Sequence, residues 1–247
     1  MLKQRFFFLL ISLGLALAVW WAVREFGYLP RFMLPSPLDV WQRFWTAFRD
    51  GSLLRHSLVT LSEVLAGLAA GASAAMLLGY SLAKSPALEK VLTPYIIASQ
   101  SIPVVAIAPL LVIWFGPGWV SKVMICSLIV FFPVLINTVV GMRSAPAELR
   151  ELMRSLQASR WQTFWLLEAP AGLPVFLGGL RIGATLSVIG AVVGEFVGAD
   201  SGLGYLVNAA RGIYDIPLVF VAVMVLILMA MALYGFVAWV ESVAVKH

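Results

Sequence analysis

Cysteine and histidine are almost missing from this sequence: Cys126, His56 and His247 are the only ones among 247 residues. A single cysteine excludes an internal disulfide. Three such side chains so far apart exclude a His/Cys zinc site and leave no metalloprotease or thiol-nucleophile constellation. No glycine is followed by lysine anywhere, so the phosphate-binding loop of the Walker type is absent and the chain is not its own ATPase by that route. No catalytic residue, cofactor site or metal site is assigned, and no nucleic-acid partner is expected. Charge is scarce as well: Asp, Glu, Lys and Arg make up 12% of the chain against 62% hydrophobic residues, with a mean hydropathy of +0.97. That balance excludes a globule dispersed in water and points to an integral membrane protein.

What the sequence does have is apolar runs long enough to cross a bilayer, for which a helix needs about 20 residues. Phe6 to Val23, Val64 to Ala83, Val123 to Met142 and Ile216 to Val240 are clear spans. A third span in chain order is placed at Tyr95 to Phe115, in an uncharged stretch interrupted by prolines, and a fifth at Pro174 to Val197, with Arg181 and Glu195 towards its ends. The reading is all-α: a polytopic bundle of about six transmembrane helices, multi-pass in a bacterial inner membrane, with a cytoplasmic amino terminus. The first run follows Lys3 and Arg5 and continues into Trp20 and Trp21, which suit an interfacial belt, so it is read as a retained anchor rather than a secretory signal. Residues 1–56 then form an anchor plus an outer segment, and 57–247 the transmembrane domain, with a cytoplasmic loop at 144–173. In the outer segment, Trp41, Phe44, Trp45 and Phe48 fall at helical spacing and predict an amphipathic helix lying on membrane lipid. The Lys and Arg balance between the two sides barely favours this orientation.

One stretch is out of keeping with its surroundings. Glu151 to Pro170, "ELMRSLQASRWQTFWLLEAP", is charged and helix-forming, and predicts a helix outside the bilayer between the fourth and fifth spans. Glu148 and Glu151 lie towards its amino end, where negative charge suits the helix dipole, and Arg154 and Arg160 follow. Leu152, Leu156 and Ser159 share one face, and Trp161, Phe164 and Trp165 extend a bulky apolar set. Such a helix either docks a partner or rests on headgroups.

Several pieces in order decide between these. "SIPVVAIAPLLVIWFGPG" (Ser101 to Gly118), "FFPVLINTVVGM" (Phe131 to Met142), "GGLRIG" (Gly178 to Gly183) and "GEFVGADSGLGYLV" (Gly194 to Val207) resemble the permease subunit of type I ATP-binding-cassette importers, in the branch handling nitrate, sulfonates, taurine and similar small solutes. The resemblance covers about residues 57–240. It implies that the charged stretch is the coupling helix inserted into a groove of a separate ATPase, carried by Glu151, Arg154, Ser155, Leu156, Gln157, Ala158, Ser159, Arg160 and Trp161. It further implies two ATPase subunits that bind ATP and Mg, a periplasmic or extracellular solute-binding protein, and a second permease, either another copy of this chain in a homodimer or a paralogue. The family motif has Glu-Ala-Ala, three residues, then Gly; here Glu151-Leu152-Met153 is followed by Gln157, which removes the glycine that would permit a left-handed turn.

For the translocation path the candidates are Ser99, Gln100, Ser101, Pro103 and Glu195. Proline frees helix carbonyls that hydroxyl and amide groups can satisfy, in a pore-lining kink or one needed only for packing. Glu195, within a span, is either a gate residue or a carboxylate that fixes the "GADSGLG" turn, with Arg211 as possible partner. Glu63 and Arg181 are read as interfacial, with Arg181 reaching headgroups or carbonyls of the coupling segment. GxxxG spacings at Gly67 and Gly71 and at Gly190, Gly194 and Gly198 predict close helix approach, more within the subunit than between subunits. The solute is open among nitrate, bicarbonate, sulfonate, taurine and heterocyclic vitamin precursors. An ion-coupled secondary transporter and a non-transporting scaffold or receptor are the alternatives.

Overall fold

A computed structural model describes residues 2–27 and 33–245. Arg31, Lys246 and His247 lie outside the described residues, as do the side chains of Lys3 and Arg5. Helices α1 (Leu2–Phe26), α2 (Pro37–Arg49), α3 (Ser52–Lys84), α4 (Pro86–Gln100), α5 (Val104–Phe115), α6 (Trp119–Arg143), α7 (Ala147–Ser155), α8 (Arg160–Thr163), α9 (Ala169–Gly198), α10 (Leu203–Gly212) and α11 (Ile216–Ala244) follow in order. A π-helical turn, Phe164–Glu168, joins α8 to α9. There is no strand among the described residues. This is an all-α membrane bundle.

Its centre is α6, packed between α3 and α9. Lipid tails are as apolar as leucine, so helices in a bilayer gain little from hiding apolar side chains and associate by close packing of small residues. The glycines do this here. A Cβ at Gly71 would lie 2.6 Å from the Ser127 carbonyl, and one at Gly67 would collide with Cys126. On the other flank, a Cβ at Gly190 would fall 2.9 Å from Cys126 Cα, and one at Gly194 2.9 Å from Lys122 Cγ. Both GxxxG faces therefore close on α6 of the same chain, with Cys126 buried between them as filler.

Four helices among the described residues are long and apolar enough to cross a membrane: α3, α6, α11 and the continuous rod Arg160–Gly198. The pair α4 and α5, which meet at 93°, is together long and apolar enough for a fifth crossing or a re-entrant loop. The sequence places one kinked span at Tyr95 to Phe115; the chain instead breaks completely at residues 101–103. Pro103 cannot donate to the preceding turn and its ring drives Ile102 out of helical geometry. Before the break two serines bond back onto the preceding turn, Ser99 Oγ donating to Tyr95 O at 2.7 Å and Ser101 Oγ to Ile97 O at 3.2 Å.

Helix α2 bears out the amphipathic segment. Ser36 and Asp39 form a reciprocal capping box at its start, which satisfies two otherwise unpaired helix N–H groups. Val40 and Ala47 turn inward while Trp41, Trp45 and Phe48 stay exposed. Arg43 Nε bonds Asp215 Oδ2 at 2.8 Å and ties α2 to the start of α11.

Candidate functional site

Apart from those at the α4–α5 break, the candidate residues gather at opposite ends of the α3–α6–α9 core. At one end lies the charged stretch, and it is not a single helix. Helix α7 stops at Ser155, and Gln157 turns the chain with φ 54°, in the left-handed region that costs a non-glycine residue roughly 1–2 kcal/mol. The sequence treats loss of glycine at this position as loss of the turn; the turn is kept, with glutamine in it. Ser159 then caps α8, accepting from Gln162 N at 3.2 Å while Gln162 Oε1 accepts from Ser159 N at 2.8 Å. From Arg160 the chain runs without a break through the π-helical turn into α9, a helical stretch 39 residues long.

Most of the expected coupling residues are exposed: Glu151, Arg154, Ser155, Leu156, Gln157, Ser159, Arg160 and Trp161, with Ala158 half-buried. On α7 an apolar edge of Leu149, Leu152 and Leu156 faces away from the bundle, 44, 51 and 68% exposed. Glu168, read from sequence as part of the external charged helix, is instead buried in the bundle, where Lys84 Nζ donates to its two oxygens at 2.5 and 2.6 Å. Among the described residues Arg181 bonds no carbonyl of the coupling segment. It pairs with Glu241 and sits 5.1 Å from the Tyr234 ring, fastening α9 to α11.

At the other end Glu195 is 1% exposed and holds the turn before α10. Its carboxyl oxygen accepts from the backbone N–H of Gly204 and, at 3.4 Å, of Tyr205, in the first turn of α10, where the N–H groups have no helical acceptor. Thr60 of α3 donates to Glu195 Oε1 at 2.6 Å and accepts from Leu203 N at 2.7 Å. His56 Nδ1 accepts from Gly202 N at 3.0 Å. Gly202, with φ 112°, leaves no space for a side chain, since a Cβ would strike the Glu195 carboxyl. Arg211 is elsewhere, bonded to Asn208. Glu63 is also buried, 2% exposed and beside Glu195, rather than interfacial. Lys122, 3% exposed, turns back onto the carbonyls of Pro117 and Gly118.

The sequence missed Thr60, His56 and Lys122 as parts of this network. A threonine and a histidine at i and i+4 carry no signal until the α10 turn is laid against them. Ser99, Gln100, Ser101 and Pro103 lie at the α4–α5 break, all exposed, and no described hydrogen bond joins them to Glu195.

Residues 67–243 match the family model described as the binding-protein-dependent transport system inner membrane component. The chain belongs to that family. It is 48% identical over 96% of its length to the riboflavin transport system permease protein RibX of Chloroflexus aurantiacus, of which it covers 88%. It is 35% identical over 86% of its length to the formylaminopyrimidine transport permease protein ThiX of Halalkalibacterium halodurans, covering 84%. Among solved structures, an inward-facing MetNI methionine ABC transporter superposes with a TM-score of 0.70 at 16% identity, over 78% of this chain and 96% of that one. As a permease of binding-protein-dependent importers, the chain is a multi-pass inner-membrane protein, and ATPase and binding-protein partners are expected.

Proposed function

We propose that this permease works by alternating access, driven by a separate ATPase that grips the exposed Leu149–Leu152–Leu156 edge of α7 and the Gln157 turn. The observation that carries this reading is the unbroken path from α8 through the π-helical turn into α9: a push on the turn moves a rod whose other end bears Glu195 and α10. A lever of that kind can bias a two-state bundle only if the ATPase binds its two states differently. Two ATPases supply ATP and Mg, two copies of this chain enclose the path, and a loaded binding protein docks at the α10 end. The α4–α5 break, with Ser99, Gln100 and Ser101 exposed around Pro103, lines the passage. The amino terminus and the α7–α8 turn are cytoplasmic.

For the solute we favour a small heterocycle of the vitamin or vitamin-precursor class. The support is that RibX and ThiX, named for riboflavin and formylaminopyrimidine transport, align over most of the chain. The test is ATP hydrolysis by the reconstituted complex, with its binding protein loaded in turn with a flavin, a pyrimidine, taurine or nitrate. Stimulation by a heterocycle, lost in Leu156→Asp, is expected. Stimulation by taurine or nitrate alone would reassign the solute, and an ATPase that neither binds nor responds to Leu156→Asp would remove the coupling assignment.

A further inference from the structure

Two cavities meet at Met142, at the end of the bundle where α3 and α6 finish. The first, of about 490 Å³, is lined by Lys84, Arg143, Arg150, Arg154, Arg160 and Glu168. Lys84 is paired with Glu168, and Arg143 with Glu89 at 2.7 Å. Arg150, Arg154 and Arg160 have no acidic partner among the described residues. Arg150 is anchored by donating to Met142 O at 2.9 Å, with its Nε buried, which leaves the rest of its guanidinium to face the cavity. The second cavity, of about 370 Å³, is apolar and rich in aromatic rings, including Tyr80, Trp161, Phe164 and Phe176. Beside it Trp161, Trp165 and Leu166 are 69, 54 and 71% exposed, as befits side chains at the boundary of hydrocarbon and headgroups.

We propose that these joined cavities hold one anionic phospholipid of the adjacent leaflet, its phosphate among Arg150, Arg154 and Arg160 and an acyl chain against Tyr80, Phe164 and Phe176. Clustered basic residues at span ends attract anionic headgroups. An acidic surface of the ATPase fits less well. Arg150 and Arg154 are four residues apart on one face of α7, and the Leu149–Leu152–Leu156 edge is turned to another side. The basic recess is also walled by the ends of the membrane-length helices α3 and α6, and its neighbour is lined mainly by apolar side chains. Bound there, the lipid packs behind the Gln157 turn and braces α7 and α8 against the bundle.

The test is native mass spectrometry of the permease in its ATPase complex, released from nanodiscs of equimolar phosphatidylcholine and phosphatidylglycerol. The wild type is expected to retain phosphatidylglycerol several-fold over phosphatidylcholine. Arg150→Gln should bring the two close to equality, and Arg150→Lys should keep most of the preference. Arg154→Gln gives the same readout if Arg150→Gln does not fold. Equal retention of both lipids by the wild type, or an unchanged preference in the glutamine variants, overturns the proposal. Displacement of the retained lipid by inorganic phosphate alone would make it a soluble-anion site and overturns it too. Dissociation of the ATPase from Arg150→Gln with lipid preference intact would assign the arginine to the subunit interface instead.

Discussion

At the scale of the residue, Gln157 and Thr60 show how single side chains set the two ends of the machine. Gln157 holds the left-handed turn against its own steric preference. Replacing it with glycine should leave the turn in place and stabilise it by up to about 1 kcal/mol, offset in part by the greater freedom glycine gives the unfolded chain. Gln157→Val should do the reverse, since a β-branched side chain tolerates positive φ poorly. Thermal denaturation of the purified complex, comparing both variants with wild type, checks this; a lower midpoint for Gln157→Gly would show that the amide itself makes a needed contact. Thr60 is 0% exposed and joins Glu195 to Leu203 N. Thr60→Val keeps the shape and removes both bonds, leaving buried polar atoms unpaired at a cost of about 1–3 kcal/mol. Hydrogen exchange of the α10 amides should rise in this variant while that of α6 stays as it was.

At the scale of the element, the question is what keeps the rod Arg160–Gly198 in register with its neighbours. The Lys84–Glu168 pair pins the lower part of the rod to the end of α3. Glu168 is buried, and its loss of a partner would strand a carboxylate in a low-dielectric site. Lys84→Met should therefore destabilise, towards the lower end of the roughly 3–5 kcal/mol found for breaking buried pairs, because the lysine side chain is 39% exposed. The double change Lys84→Met with Glu168→Leu should recover much of that loss. Detergent-solution thermal midpoints of the two variants give the answer: a double variant no better than the single one would mean that the pair contributes more than mutual neutralisation. Element identity was largely legible in sequence. The GxxxG faces, the amphipathic α2 and the long apolar helices all come from composition and spacing. The 93° break at Ser101–Pro103 was legible only as a kink, because proline spacing marks where carbonyls are freed and not how far the chain turns.

At the scale of the whole molecule, the bundle presents two exposed ends to partners and broad apolar flanks to lipid or to another copy. Homodimerisation predicts a native mass for the purified complex equal to two of these chains plus two ATPases; a mass requiring a second, different permease would replace the homodimer with a heterodimer and leave the coupling geometry as it stands. Composition alone determined that this chain lives in a membrane, because 12% charge in 247 residues admits no other solvent, and ordered motifs were enough to mark its family. Spacing along each helix determined which small residues could let backbones approach. What only the tertiary structure decided were the pairings between distant positions: Thr60 and His56 with the α10 turn, Lys84 with Glu168, Arg181 with Glu241, and the basic recess beneath α7. Helical periodicity fixes which face a residue occupies on its own helix, but the partner across the interface follows from how the helices are set against each other, and no local pattern encodes that.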